Sequence, residues 1–330
     1  MKRVYLFDNL KFLAMLCILV LHSTIPYAHD GMTLMKYMQP FINLYPMTLF
    51  TIISGYWYKK KSFRALLLQF LWPCILFTVI NGILGNFFYP NYWNIFKFKP
   101  GYAMWYLMAL FLYSILTKII RQRWGAIKYL LIAFCGAFII GCIPISNNYF
   151  EIQRISCLFP CFAFGVMLKE YAGNQLLVDK IGGGKVHNIR LLSIIILALI
   201  VVIQIAIIYF YPERTGAFKA YYGFNIIAAL EKWGLMFLRV IACVCIIVLM
   251  PNEEYWFTKY GSRTMNVYLL HVIPIFIICW GYLYNYRYEW YGYFALFLVV
   301  PLLCTLFFSA HVDRIMKKVL LIDVIKKIRQ

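Results

Sequence analysis

A histidine inside a long apolar run demands a chemical explanation, and His22 sits in one, since almost every residue from 12 to 25 is aliphatic or aromatic. An ionisable group at that depth is costly and marks a functional site unless a neighbouring helix satisfies it by a simple hydrogen bond. Helix geometry links it to charges upstream. Lys11 precedes His22 by eleven residues, which at 100° per residue is about 1,100°, three turns and roughly 20° over. The two side chains therefore share a face and stand about 16 Å apart along the axis. Asp8, three residues before Lys11, is placed to pair with it. A proton acceptor that titrates near neutral pH, a cation and a carboxylate on one stripe form a constellation for acid–base chemistry.

The element that must carry this stripe is a membrane helix. Of 330 residues, 64% are hydrophobic and only 13% charged, whereas a soluble domain is nearer half apolar and a quarter charged. Apolar stretches recur at 12–29, 40–58, 65–86, 103–120, 129–145, 155–169, 191–211, 234–250, 265–283 and 291–310. They do not alternate as barrel strands would. The fold class they predict is all-α, a polytopic membrane bundle of about ten helices. The exit from the first stretch, Pro26-Tyr27-Ala28-His29-Asp30, has no small-x-small cleavage site, so this segment is expected to stay as a helix. The sixth stretch is short and contains Pro160, which predicts a kink or a re-entrant turn. The eighth is interrupted by Glu231, Lys232 and Arg239, and its start lies anywhere back to Tyr222.

The formal charge of +20 would suggest nucleic acid in a soluble protein. Its distribution argues instead for the lipid bilayer and no nucleic acid. With a cytoplasmic N-terminus, the outer segments hold seven basic residues: Lys36, Lys97, Lys99, Arg154, Arg214, Lys219 and Arg287. The inner segments hold about three times as many, which fits the positive-inside rule with both termini cytoplasmic and a plasma-membrane location. Residues 1–310 read as one membrane-embedded domain, and 311–330 as a basic amphipathic tail lying on the anionic inner leaflet. The ten cysteines all fall within predicted spans and show neither a disulfide framework nor a metal-ligand spacing. No metal site is expected. The linker 170–190 contains Gly182-Gly183-Gly184 but lacks the terminal Ser or Thr of a phosphate loop.

The string Arg3-x4-Asp8-Asn9-Leu10-Lys11-x10-His22 resembles the opening motif of the acyltransferase 3 family, particularly its sugar and polysaccharide O-acetylase branch, similar to fucose 4-O-acetylases. Further similar strings follow in order: Tyr45-Pro46-Met47 leading to Ser54-Gly55-Tyr56; Arg64 before Pro73; Met104-Trp105-Tyr106-Leu107; Arg154 before Phe159-Pro160 and Phe164-Gly165; and Tyr268-Leu269-Leu270-His271. The resemblance covers nearly the whole chain. Lys11 departs from the Arg of many members, and Lys offers no bidentate fork. Many members also continue into an SGNH-type domain; none is expected in these residues, and the resemblance then implies that the membrane domain itself delivers the acyl group.

The resemblance implies an integral membrane acyl-CoA-dependent O-acyltransferase, most simply an O-acetyltransferase acting on a glycan or glycolipid acceptor. Acetyl-CoA is then a donor substrate, with no bound cofactor. In that reading His22 is the catalytic base or acyl carrier, with Lys11 and Asp8 in the catalytic stripe. Ser54, Tyr56 and His271 are the candidate oxyanion donors or supporting groups. Lys11 and Arg64 would meet the donor's phosphates, and Arg154 with Trp105 would bind the acceptor. A transporter or flippase is the competing reading, since His22, Glu231 and Arg239 could line a polar pathway, but no internal repeat supports it. Nothing in the sequence specifies an oligomer.

Overall fold

The computed structural model describes residues 4–28, 42, 45–88, 102–144, 150–173, 186–210, 222–282 and 290–329. It is all-α, with no strand among the described residues. In chain order the helices are α1 (Tyr5–Ala28), α2 (Pro46–Tyr56), α3 (Phe63–Phe88), α4 (Trp105–Arg123), α5 (Ala126–Cys142) and α6 (Ile152–Ala172). They continue with α7 (Val186–Phe210), α8 (Ile226–Leu249), α9 (Thr264–Cys279), α10 (Trp290–Phe308), α11 (Ala310–Val319) and α12 (Ile322–Arg329). Six of these, α1, α3, α6, α7, α8 and α10, are long and apolar enough to cross a bilayer, and α5 and α9 are shorter apolar helices. The protein is a multi-pass membrane bundle.

Burial explains the layering. The eleven-residue α2 is apolar all round and buried on nearly every side, as expected for a central helix. It lies against α1, α6 and α8. By contrast, α7 buries only a stripe made of Ser193, Ile200, Gln204 and Ile208, and turns its other faces outward. The contact of α2 with α6 is a close backbone approach. A Cβ added at Gly55 would lie 2.0 Å from the Phe162 carbonyl oxygen, and one at Gly165 would lie 2.1 Å from that of Ile52. Only hydrogen fits on each side, so the two glycines fix how near these helices come.

Several boundaries differ from the sequence reading. α1 begins at Tyr5 rather than residue 12, so Lys11 lies within the helix and not at its edge. α6 is an unbroken 21-residue helix through Pro160 and does not re-enter. Pro160 forfeits one bond to Ser156, which a helix packed on both sides tolerates. α8 begins at Ile226, capped by Asn225, whose side chain accepts from Ile227 N and Ala228 N at 3.1 Å each. Much of the second predicted span before Tyr45, the glycine triplet and residues 283–289 lie outside the described residues.

The tail forms two short helices and is packed back on the bundle as well as amphipathic. Met316, Leu320 and Ile325 are buried. Trp72 Nε1 donates to the Val319 carbonyl at 3.1 Å, and Asn266 Nδ2 donates to Asp313 Oδ1 at 3.0 Å. Burial alone would raise the Asp313 pKa, but hydrogen bonds from Lys317 and Asn266 and the charges of Lys317 and Arg263 outweigh it and hold the carboxyl below its usual range. A depressed carboxyl pKa stabilises docking above the unfolded value of about 3.9 and loses that contribution as pH falls through the folded value. At neutral pH the substitution Asp313→Asn is therefore expected to loosen the tail. Amide hydrogen exchange over 310–319 should rise in this variant, and unchanged exchange would show that the apolar contacts alone hold it.

Candidate active site

Two helices run side by side from the basic end of the bundle, and each carries a stripe that ends in histidine. On α1 the stripe is Lys11, Met15, Ile18 and His22; on α9 it is Thr264, Tyr268 and His271, with spacings of four, three or seven residues that keep one face. All of these except the histidines line a cavity of about 160 Å³, together with Ser54, Tyr106 and Leu110. The imidazole rings of His22 and His271 lie farther along both stripes, with centroids 5.1 Å apart at 56°. His271 is fully buried.

The tautomer of His271 follows from its neighbours. Its Nδ1 lies 3.0 Å from the Val267 carbonyl oxygen and 2.8 Å from that of Tyr268. Only a proton on Nδ1 makes those contacts favourable. Its Nε2 is buried without a hydrogen-bond partner among the described residues, so the neutral ring presents a lone pair there. In that tautomer a neutral His271 offers an acceptor, not a donor, at Nε2.

The helices around the pair depart from regular geometry. α9 passes from His271 through Pro274 into a π-helical stretch, Ile275–Trp280, and α10 has another at Ala295–Val299. Ser23, next to His22, donates to the Leu296 carbonyl within that second stretch at 2.8 Å. Local π geometry frees backbone groups and recurs at functional sites, and here a side chain of α1 satisfies one of them.

At the other end, Arg154 and Trp105 come together: the guanidinium lies 4.9 Å from the indole ring centroid. Arg154 Nε is 3.6 Å from Glu151 Oε2. Glu151 is buried, and it and Phe150 both adopt left-handed backbone (φ 52° and 53°), a sparsely populated conformation for such residues. Glu151 was not among the sequence candidates, although a carboxylate three residues before an arginine in an apolar segment was a usable signal.

At the basic end, Lys11 Nζ lies 2.8 Å from Asp8 Oδ1. Tyr56 is separated from the histidines: its ring packs 4.6 Å from Phe7, which is fifteen residues and so about 22 Å before His22 on α1. It therefore cannot support an oxyanion there. Ser54 faces the cavity, its Oγ 3.1 Å from Tyr106 Oη. The Tyr106 ring in turn neighbours Tyr268, whose hydroxyl donates to the Ala103 carbonyl. Tyr106 and Tyr268 are polar cavity groups that the sequence reading had only as parts of strings. Arg64 is exposed at the start of α3 and does not line the cavity.

Comparison with protein families matches residues 4–310 to acyltransferase 3, described as an acyltransferase domain. The chain belongs to the acyltransferase 3 family. The match runs from the start of α1 to the first residue of α11, so both stripes and the Arg154 cluster lie within it. Family membership and the apolar helices together make this a membrane acyltransferase. No curated protein and no solved structure matches the chain.

Proposed function

We propose that the protein transfers an acyl group, in the simplest case acetyl, from acyl-CoA to a hydroxyl of a cell-surface glycan or glycolipid, with His22 as the general base. The donor enters at the basic end, taken here as cytoplasmic, and its acyl arm passes Lys11 into the cavity. The acceptor approaches from the end of Arg154 and Trp105, where an aromatic face and a cation suit a sugar ring. The observation that supports this reading is the convergence of two stripes that line one cavity and end in paired imidazoles, that of His271 fully buried.

A sugar hydroxyl is a weak nucleophile at neutral pH, and its proton must leave as it attacks the thioester. His22 takes that proton, the ester C–O bond forms and the C–S bond breaks. The imidazolium then returns the proton to the departing thiolate. His271 acts as a positioning residue: with Nδ1–H held on two carbonyls, its Nε2 lone pair is fixed to orient an N–H of His22 or a bridging water. Transfer through an acyl-histidine would use the same two rings, the hydroxyl attacking in a second step.

The reading is tested with purified protein in nanodiscs, radiolabelled acetyl-CoA and membrane glycan as acceptor. Label should enter the glycan as a base-labile ester; label that never leaves the donor would overturn the proposal. Lys11 supplies the cation at the cavity mouth, so Lys11→Ala is expected to raise KM for acetyl-CoA about tenfold, the worth of one charge-assisted contact. Lys326→Ala, which alters an exposed tail residue, serves as the comparison. Equal KM values in the two variants would remove Lys11 from the donor path.

A further inference from the structure

A second hollow opens at the basic end and is distinct from the cavity between the stripes. It has a volume of about 350 Å³ and lies among the ends of α2, α4 and α6. Its walls carry four cations, Lys60, Lys118, Arg121 and Lys169, against one carboxylate, Glu170. Tyr56 and Tyr58 complete one side.

Two of the cations are held in place. Lys169 Nζ donates to the Gly173 carbonyl at 2.8 Å and lies 5.3 Å from the Tyr56 ring centroid and 5.8 Å from that of Trp57. Arg121 donates to Glu170 Oε1 through Nε at 2.8 Å and to the Trp124 carbonyl through an amino group at 2.8 Å. Fixing these side chains removes part of the ordering cost that exposed lysines and arginines bear on binding an anion. The cations exceed the carboxylate, so the hollow favours a ligand carrying several negative charges. Its volume falls at the low end of the range of about 300–1,000 Å³ for small-molecule pockets, larger than a bare phosphate requires.

The hollow is aligned with the reaction path. Ser54 lines the inner cavity, while the next two residues, Gly55 and Tyr56, line this one. On α4, Leu110 lines the inner cavity and Thr117 the outer. They share a face, seven residues or about 10 Å apart. A charged head lodged outside and an arm reaching inward along α2 and α4 would occupy both.

We propose that this cleft is a phosphate-binding site for a headgroup bearing two or more phosphate charges. On the acyl-transfer reading, that headgroup is the nucleotide end of the donor; a bilayer supplies the same chemistry as an anionic lipid headgroup. The cleft rests on that reading only for naming the nucleotide.

The test uses the full chain in nanodiscs of phosphatidylcholine, with adenosine 3′,5′-bisphosphate as the probe and calorimetry as the readout. Lys118→Met and Lys169→Met keep much of each apolar stem. Each is expected to weaken binding about tenfold, as loss of one charge-assisted contact does, while Lys326→Met leaves it unchanged. If the probe does not bind but native mass spectrometry finds phosphatidylglycerol retained by the parent protein and lost by both variants, the site stands with a lipid headgroup in it. Binding of neither, or binding of either that both variants leave unchanged, overturns the proposal. S-acetylpantetheine, a donor without phosphates, separates this from the acyl-transfer reading. The variants should lower kcat/KM with acetyl-CoA and spare it with acetylpantetheine. If neither donor is used, the acyl-transfer reading fails while bisphosphate binding still reports on the cleft.

Discussion

Replacing His22 by glutamine should reduce acyl transfer by a factor of about 10²–10⁴, the usual contribution of a positioned general base, and leave the protein folded. Glutamine preserves hydrogen-bonding capacity and much of the volume at a site where α1 packs against α9 and α10, so the loss should appear in turnover and not in thermal stability. The measurement is label incorporation into glycan at saturating acetyl-CoA, beside a thermal-shift curve of the same preparation. KM for the donor should move little, because Lys11 and the cavity are untouched. A variant that retains a third or more of its turnover would remove His22 from the chemistry and return it to the role of a helix-packing hydrogen bond.

The second large effect concerns assembly. Gly55→Ala places a methyl 2.0 Å from the Phe162 carbonyl oxygen, and the obstacle is backbone that cannot rotate aside. Separating α2 from α6 is the only relief, and such overpacking costs about 3 kcal/mol at the upper end of its common range. A fall in unfolding temperature of about 5–10 °C is expected, with loss of activity, because Ser54 in one hollow and Tyr56 in the other both ride on α2. Gly136→Ala on α5 is the control: nothing lies within 4 Å of its added Cβ, and alanine is the better helix former by about 1 kcal/mol. Equal unfolding temperatures for Gly55→Ala and Gly136→Ala would show that α2 and α6 are free to separate.

How much of this was legible in the sequence depends on whether the information was periodic or spatial. Hydropathy located the membrane helices, and the 3.6-residue repeat put Lys11 and His22 on one stripe of α1 without any structure. Depth across different helices was not legible. Ser54 and Tyr56 were read together as candidate oxyanion donors, yet α2 runs antiparallel to α1, so Ser54 lines the cavity while Tyr56, at the last turn, meets the Phe7 end. The hydrogen-bonding character of His271 was invisible for another reason. Its donor or acceptor character depends on which ring nitrogen faces the Val267 and Tyr268 carbonyls, a rotamer choice that residue type does not encode. Arg64 was grouped with the donor by its charge and its string, and neither displays that it stands exposed at the start of α3, away from the cavity. The cluster of Lys60, Lys118, Arg121 and Lys169 is drawn from three separate segments, so no window of sequence displays it.

The two-ended layout of the His22 region has a kinetic consequence. A donor arriving past Lys11 and an acceptor arriving past Arg154 do not obstruct each other, so either can bind first on the proposed reading. The spent thiol, however, must leave by the door through which the next donor enters. Coenzyme A should then compete with acetyl-CoA for the free protein but not with the glycan, and turnover would be throttled by the ratio of free to acylated carrier in the cell. On that reading the enzyme would respond to the acyl charge on its donor side without a separate regulatory site.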